Sequence, residues 1–135
     1  MEISMLSILD FNVDFVSSHS CLERFVQITM ANKKTKDLAQ YILEITMLDF
    51  QSIVMLPSNL AVGSLLLANK ILKNLREHHH SKTLLTLVKV TEAEMTPQIE
   101  YLLKLLKNYQ KPGSQLMGLK KKFSSEKFSN ISTYF

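Results

Sequence analysis

The feature that most constrains this chain is the stretch from Leu38 to Leu72, where two helix-length apolar segments are joined by a short loop. The first segment, ending at Leu48, repeats apolar residues at the i, i+3, i+4 spacing of one helix face. The second, Leu60 to Leu72, is apolar almost all the way round. A helix without a polar face must lie among other helices. The pattern predicts a compact all-α fold around one central helix, with Leu66 buried in it.

Length and composition fit a single globular domain. The chain has 135 residues, 46% of them hydrophobic, and only three glycines and three prolines, which argues against a sheet-rich fold. Its one cysteine, Cys21, excludes an internal disulfide and fits a reducing compartment. The chain shows no signal-peptide pattern at its start, and its longest apolar stretch is too short to cross a bilayer. We expect a soluble intracellular protein.

Local signals predict where the first helices begin and end. Met1–Leu9 is typical of a short amphipathic helix, and Ser17 and Ser18 can cap a second helix by accepting a free backbone amide. Thr35 is the candidate N-cap of the third helix, which is expected to end near Asp49–Phe50. Pro57 suits the first turn of the central helix, because its φ angle is already helical.

The second half of the chain is predicted to be less regular. Residues 74–81 are polar and indicate a loop. Thr91–Glu94 matches a capping box, in which the threonine hydroxyl and the glutamate each bond the other's backbone amide. It predicts the start of a long helix, which Lys111–Gly113 would end. Residues 116–135 are expected to form a short basic helix followed by a serine-rich extended tail.

Three successive histidines, His78–His80, are the candidate metal ligands. Consecutive side chains on a helix point in different directions, and a zinc site needs further ligands, of which the sequence shows no second cluster. A solvated loop is the favoured interpretation, and we assign no metal site.

Three other residues are candidates for chemistry. His19 and Cys21 would diverge by about 200° on a helix, so a buried structural cysteine is favoured over a nucleophile. Glu44 is expected at the edge of its apolar stripe or beside a cation, because a lone buried carboxylate is costly. Asp49 is expected to cap the following turn. The sequence thus gives no catalytic, cofactor-binding or metal-binding residue.

The net charge of +4 is concentrated late in the chain. Residues 101–135 hold only one acidic residue, Glu126, against seven lysines: Lys104, Lys107, Lys111, Lys120, Lys121, Lys122 and Lys127. Helix periodicity places these lysines opposite the apolar stripe, which favours a solvated face. Attraction of an acidic partner or of nucleic acid is the alternative.

Several short patterns, taken in order, resemble mitotic cyclins of the A and B types. The family's second cyclin box has an LAxYxxELTMLDY-type helix, a PPS-type turn and an LAxxAxxLAxxIL-type helix. The matching residues are Leu38, Ala39, Tyr41, Glu44, Thr46 to Phe50, Pro57, Ser58, Leu60, Ala61, Leu67, Ala68, Ile71 and Leu72. The end of the first box is matched by Met1–Ile3, Leu6, Leu9 and Phe11. The start of the second box is matched by Leu22–Phe25, and its last helix by Thr91–Glu92, Met95 and Leu102–Leu106. Its closing signature is matched by Lys122–Phe128 with Ile131–Ser132.

The resemblance implies a five-helix cyclin-box fold around a central helix, with a short N-terminal helix and an irregular basic C-terminal tail. It assigns residues 1–13 to the end of a preceding cyclin-box helix and a linker, and residues 14–135 to the C-terminal cyclin domain. The implied function is that of a non-catalytic regulatory subunit of a cyclin-dependent kinase in cell-cycle control. Such a protein is expected in the nucleus or cytoplasm, with no cofactor and no membrane partner.

The resemblance also has departures. In the family, the kinase-contacting lysine and glutamate and the substrate-docking patch belong to the first box, so no kinase-binding residue is carried over. The tryptophan usual after the central helix is missing, and Met1 falls where the family often has an internal methionine, which suggests a piece of a longer protein. The alternative function is a nucleic-acid-binding module using the basic C-terminal region, since transcription factor IIB-like proteins share this fold.

Overall fold

The structure, a computed structural model, describes residues 1–72, 78–110 and 117–134, with backbone alone for residues 78–80 and 133–134. These ranges contain seven α-helices and no strand, so the predicted all-α class is confirmed. The helices are α1 (Glu2–Ile8), α2 (Ser18–Thr29), α3 (Lys33–Thr46), α4 (Pro57–Leu72), α5 (His78–Val88), α6 (Glu92–Gln110) and α7 (Met117–Phe123). Short 3₁₀ helices cover Phe50–Val54, Glu126–Phe128 and Ile131–Tyr134.

The α4 helix is the centre of the fold, as its sequence predicts. It packs against α2, α3 and α6, and it also contacts α5. Val62, Leu65 and Ala68 have no exposed surface. Leu66 is only half-buried, so its predicted burial was wrong, because the side of α4 that carries it is less covered by neighbouring helices. Leu65 therefore marks the centre of the core.

A glycine inside α4 allows α6 to approach closely. A Cβ atom built on Gly63 would lie 3.1 Å from Cδ1 of Leu102 and 3.7 Å from the sulfur of Met95. Both of these side chains are buried and belong to α6. Glycine costs about 1 kcal/mol relative to alanine inside a helix. The close contact with α6 explains why it occurs here.

The predicted helix caps are confirmed at two of three positions. Of the two serines predicted to cap α2, Ser17 is the cap and accepts the amide of Ser20 at 3.1 Å, whereas Ser18 is the first residue of the helix. The capping box holds, since the Glu94 amide donates to the Thr91 hydroxyl at 3.3 Å and the Thr91 amide to the Glu94 carboxylate at 2.8 Å. Thr35 was the wrong cap for α3. Asn32 takes that position and accepts the Thr35 amide at 2.8 Å, because an asparagine oxygen caps equally well and lies earlier.

Two predicted boundaries differ from the structure, and another cannot be compared. The α3 helix ends at Thr46 rather than near Asp49–Phe50. Residues 78–81 open α5 instead of forming a loop. The predicted stop at Lys111–Gly113 and part of the predicted loop, residues 74–77, lie outside the described residues. Within the described ranges, no helix is long and apolar enough to cross a membrane.

The C-terminal residues fold onto α3 rather than extending away from it. The α7 helix and the final 3₁₀ helix both contact α3. Phe123 and Ile131 are buried, and the Phe123 ring lies 5.0 Å from that of Tyr41 and 4.7 Å from that of Phe128. The expected extended tail was therefore wrong, because these spaced apolar side chains bury themselves and draw the tail into short helical turns.

Candidate protein-interaction site

Most of the exposed apolar side chains belong to two segments of the chain. Nineteen large apolar residues are exposed in the described ranges. Nine lie in residues 1–16, here called the N-terminal segment: Met1, Ile3, Met5, Ile8, Leu9, Phe11, Val13, Phe15 and Val16. Six lie in residues 47–56, here called the connecting loop: Met47, Leu48, Phe50, Ile53, Val54 and Leu56. A concentration of this kind is typical of a protein-interaction surface.

The N-terminal segment has regular backbone structure but little buried side-chain surface. Its helix, α1, contains no buried residue, and only Leu6 is half-buried. Asp10 and Phe11 have φ angles of 50° and 57°, which turn the chain after the helix. The Phe11 amide donates to the carbonyl of Leu6 at 2.8 Å and closes this turn. Hydrogen bonding therefore shapes the segment, while its apolar side chains remain exposed.

The connecting loop is held by one buried hydroxyl. Ser52 is 6% exposed and donates to the carbonyl oxygens of Thr46 at 2.5 Å and Asp49 at 2.8 Å. These bonds tie the loop to the end of α3. The neighbouring Ile53 and Val54 are 72% and 89% exposed. The anchor thus presents apolar side chains to solvent on a structured loop.

The two segments meet at a shallow depression. Phe15 and Val16 from the N-terminal segment line it together with Met47, Ile53 and Met55 from the connecting loop. Its volume is about 320 Å³. The depression therefore brings Phe15 and Val16, at the end of the N-terminal segment, beside loop residues that lie more than 30 positions later in the sequence.

Both segments are also acidic. The two segments contain Glu2, Asp10, Asp14 and Asp49 and no lysine, arginine or histidine, although the chain as a whole carries a net charge of +4. We call residues 1–16 and 47–56 together the acidic apolar surface. Its charge disfavours phosphate-rich ligands and favours a partner that combines apolar and basic side chains.

Asp49 connects the acidic apolar surface to the core. Its carboxylate accepts a short hydrogen bond from the hydroxyl of Tyr101 on α6. Asp49 occupies the predicted N-cap position of the 3₁₀ helix that follows, but its side chain makes no capping bond to that helix. Burial of Tyr101, and then its bond to Asp49, raise the pKa of the tyrosine above its usual value of 10.0. The loop is thus tied to α6 by a contact between residues 52 positions apart.

Replacing Tyr101 by phenylalanine should remove this tie and lower the free energy of unfolding by about 1 kcal/mol. Folding raises the pKa of the Tyr101 hydroxyl. Its contribution to the free energy of unfolding of the wild type should therefore be complete below the pKa of the unfolded chain and lost as pH rises through the pKa of the folded protein. Urea unfolding at pH 7 and at pH 10 to 12 measures both effects. Asp49→Asn keeps an acceptor oxygen, so it should lower the free energy of unfolding by less than Tyr101→Phe does. If Tyr101→Phe and the wild type had equal free energies of unfolding at pH 7, the hydrogen bond between Tyr101 and Asp49 would not stabilise the fold.

Glu44 is paired with a cation, which is one of the two environments expected for it from the sequence. Its two oxygens lie 2.6 and 2.8 Å from Nζ of Lys122 on α7. The side-chain amide of Gln40 donates to the same carboxylate at 3.1 Å. Two helical turns earlier on α3, the carboxylate of Asp37 accepts a hydrogen bond from the hydroxyl of Ser129 at 2.6 Å. Both acidic residues of α3 therefore attach the C-terminal residues 117–134, and their partners were missed by sequence reasoning.

The other candidate residues are not brought together as a reactive site. Cys21 is half-buried at the edge of the core, so the expected full burial was only partly right. The His19 Nε2 atom lies 3.9 Å from Glu23, one turn along α2. The His78–His80 backbone opens α5, while the side chains are outside what the structure describes. Among described residues, no cluster of three or more histidine, cysteine, aspartate or glutamate side chains could hold a metal.

The late lysines divide into exposed and engaged residues. Lys104, Lys107, Lys121 and Lys127 are exposed, as a solvated face predicts. Lys120 is half-buried and donates to the carbonyl of Gln110 at 3.5 Å, and Lys122 is held by Glu44. Lys111 lies outside the described residues. Nucleic-acid binding by this region stays a prediction.

Comparison with known proteins identifies relatives of the whole chain. The sequence profile of the cyclin C-terminal domain family matches residues 16–134. Cyclin-B2-2 of Arabidopsis thaliana is 28% identical over 144 residues, covering 100% of this chain and 30% of the relative. G2/mitotic-specific cyclin-B2 of Rana japonica is 26% identical over 138 residues, covering 99% and 33%. G2/mitotic-specific cyclin-B of Marthasterias glacialis is 29% identical over 133 residues, covering 98% and 33%.

These matches confirm the mitotic-cyclin resemblance but span only part of each relative. The chain covers about a third of the length of these curated relatives. The profile begins at residue 16, near the predicted domain start at residue 14, and that boundary stays a prediction.

Proposed function

Because the chain belongs to the cyclin C-terminal domain family, we propose that it is a non-catalytic element of a cyclin-dependent kinase regulator in the cell cycle. The observation that carries the proposal is the family match over residues 16–134, together with relatives named as mitotic cyclins. The all-α fold around α4 supports it. Such a regulator would act in the nucleus or the cytoplasm.

The acidic apolar surface is the proposed contact with the kinase. It holds fifteen exposed large apolar side chains, and protein interfaces take most of their energy from a few such residues. A structured loop anchored by Ser52 presents six of them, which lowers the entropy lost on binding. The surface lies on different elements from the lysine-rich residues of α6 and α7.

A titration of a purified mitotic cyclin-dependent kinase with the full chain tests this proposal. Isothermal titration calorimetry should detect binding by the wild type. Phe11→Ser and Ile53→Ser, which change the two halves of the surface, should each weaken binding by about tenfold. Leu87→Ser is the matched control, because Leu87 is also exposed, at 54%, but lies on α5. It should bind like the wild type.

Two results would contradict the proposal. One is no binding by a folded wild-type chain, and the other is equal weakening by Leu87→Ser and Ile53→Ser. A parallel titration with duplex DNA addresses the alternative function. Phosphate binding by the late lysines would show a steep loss of affinity between 50 and 200 mM salt. DNA binding in place of kinase binding would favour that alternative.

A further inference from the structure

Two side chains of the connecting loop, those of Asp49 and Ser52, hold the loop to the helices around it. The Ser52 hydroxyl donates to the carbonyl oxygens of Thr46 and Asp49. The Asp49 carboxylate accepts the hydroxyl of Tyr101 on α6, and the Asp49 amide donates to the carbonyl of Thr46 at 3.1 Å. The first part of the loop is thus bonded both to the end of α3 and to a helix from the second half of the chain.

The core of the domain sets the position of Tyr101. Tyr101 is half-buried on α6 and packs against the buried apolar cluster. Its neighbour Leu102 is fully buried, and a Cβ atom built on Gly63 of α4 would lie 3.1 Å from Cδ1 of Leu102. Because the two helices are this close, α6 cannot slide along α4 without disturbing the contact. Tyr101 therefore gives the connecting loop a fixed point of attachment.

The exposed apolar side chains of the loop depend on these attachments for their positions. Phe50, Ile53 and Val54 are all largely exposed. Buried side chains are located by the atoms packed around them, and these three have few such neighbours. The path of the loop backbone therefore decides where they lie. Ile53 also lines the depression beside Phe15 and Val16, so the loop path shapes that depression as well.

We propose that Tyr101 is a positioning residue for the contact between the acidic apolar surface and the kinase, and that it acts through Asp49 on the connecting loop. This role rests on the proposed function. Without the bond, the loop adopts more conformations before it binds, and binding must order them. Ordering a loop costs entropy, so a loop that is already ordered binds more tightly without any added contact. Tyr101 thus contributes to affinity although it lies outside residues 1–16 and 47–56.

Tyr101→Phe tests this role in the full chain, because the change lies outside the acidic apolar surface. In the free chain, amide hydrogen exchange over residues 47–56 should rise about fivefold, the effect of losing one hydrogen bond, while exchange over residues 117–134 should stay the same. Isothermal titration calorimetry with a mitotic cyclin-dependent kinase should show affinity that is weaker by about threefold to fivefold, with the loss in the binding entropy. Both measurements are made at a temperature where the variant is fully folded.

Two comparisons make the test specific. Tyr41→Phe makes the same chemical change at a buried tyrosine of α3. It should match the wild type both in exchange over residues 47–56 and in kinase affinity. Asp49→Ala removes the acceptor of the Tyr101 bond. In that background Tyr101→Phe should weaken kinase binding no further, because the losses from two residues that act through one bond do not add.

The outcomes separate the positioning role from the proposed function. If the wild type binds the kinase, then equal affinity of Tyr101→Phe, equal weakening by Tyr41→Phe, or additive losses with Asp49→Ala would overturn the positioning role alone. Weaker binding with unchanged exchange over residues 47–56 would also overturn it, because the effect would not pass through the loop. No binding by the folded wild-type chain would overturn the proposed function, and the positioning role with it.

Discussion

Leu65→Asp should leave the domain unfolded, so that no cooperative unfolding transition is observed. Leu65 has no exposed surface and lies in the middle of α4, which packs against α2, α3 and α6. The substitution removes a buried side chain and leaves an unpaired charge in the core. Such changes cost several kcal/mol, whereas total stabilities are about 5–15 kcal/mol.

Thermal and urea unfolding followed by circular dichroism would measure this effect. Leu87→Asp is the matched control, because it makes the same chemical change at an exposed site on α5. It should stay within about 0.5 kcal/mol of the wild type. A cooperative transition of Leu65→Asp close to that of the control would show that α4 is not central.

Phe123→Ala should be the second most damaging change, with a cost of about 3–5 kcal/mol. Phe123 is fully buried and packs against the rings of Tyr41 and Phe128, so it joins residues 117–134 to α3. Its loss leaves a cavity and removes two aromatic contacts, each contributing about 0.5–1.5 kcal/mol beyond burial.

Urea unfolding gives the total cost, and hydrogen exchange shows where it falls. Exchange should accelerate most over residues 117–134. Met117→Ala, at a 73% exposed position of the same helix, should have little effect. A cost below about 1 kcal/mol for Phe123→Ala would mean that the ring does not anchor these residues.

Local sequence signals predicted the central part of the fold well. The apolar run of α4, the cap at Ser17 and the capping box at Thr91 depend on residues within a few positions of one another. The cap at Asn32 was missed because Thr35, a residue type that also favours caps, follows three positions later. Asparagine and threonine are both common helix caps, so the sequence alone does not rank them. The tertiary packing that buries Thr35 decides between them.

The contacts that shape the candidate surfaces were not predictable from local patterns. Tyr101 meets Asp49 across 52 positions, and Lys122 meets Glu44 across 78. These pairs form only when α6 and α7 fold back on the first half of the chain. A cation for Glu44 could be expected from the cost of burying a charge, but its identity depends on the tertiary fold.

The acidic apolar surface was predicted in part. The apolar residues of the N-terminal segment were visible in the sequence. The exposure of the connecting loop was not, because Ile53 and Val54 are residue types that usually lie inside. The bonds of Ser52 explain this, since they hold the loop at the end of α3 with those side chains outward.

The most direct test of the proposed function is an amide hydrogen-exchange map of the full chain with and without a mitotic cyclin-dependent kinase. We predict slower exchange in residues 1–16 and 47–56 when the kinase is bound, and unchanged exchange over residues 117–134. Protection confined to α6 and α7, or no protection anywhere at saturating kinase, would contradict it.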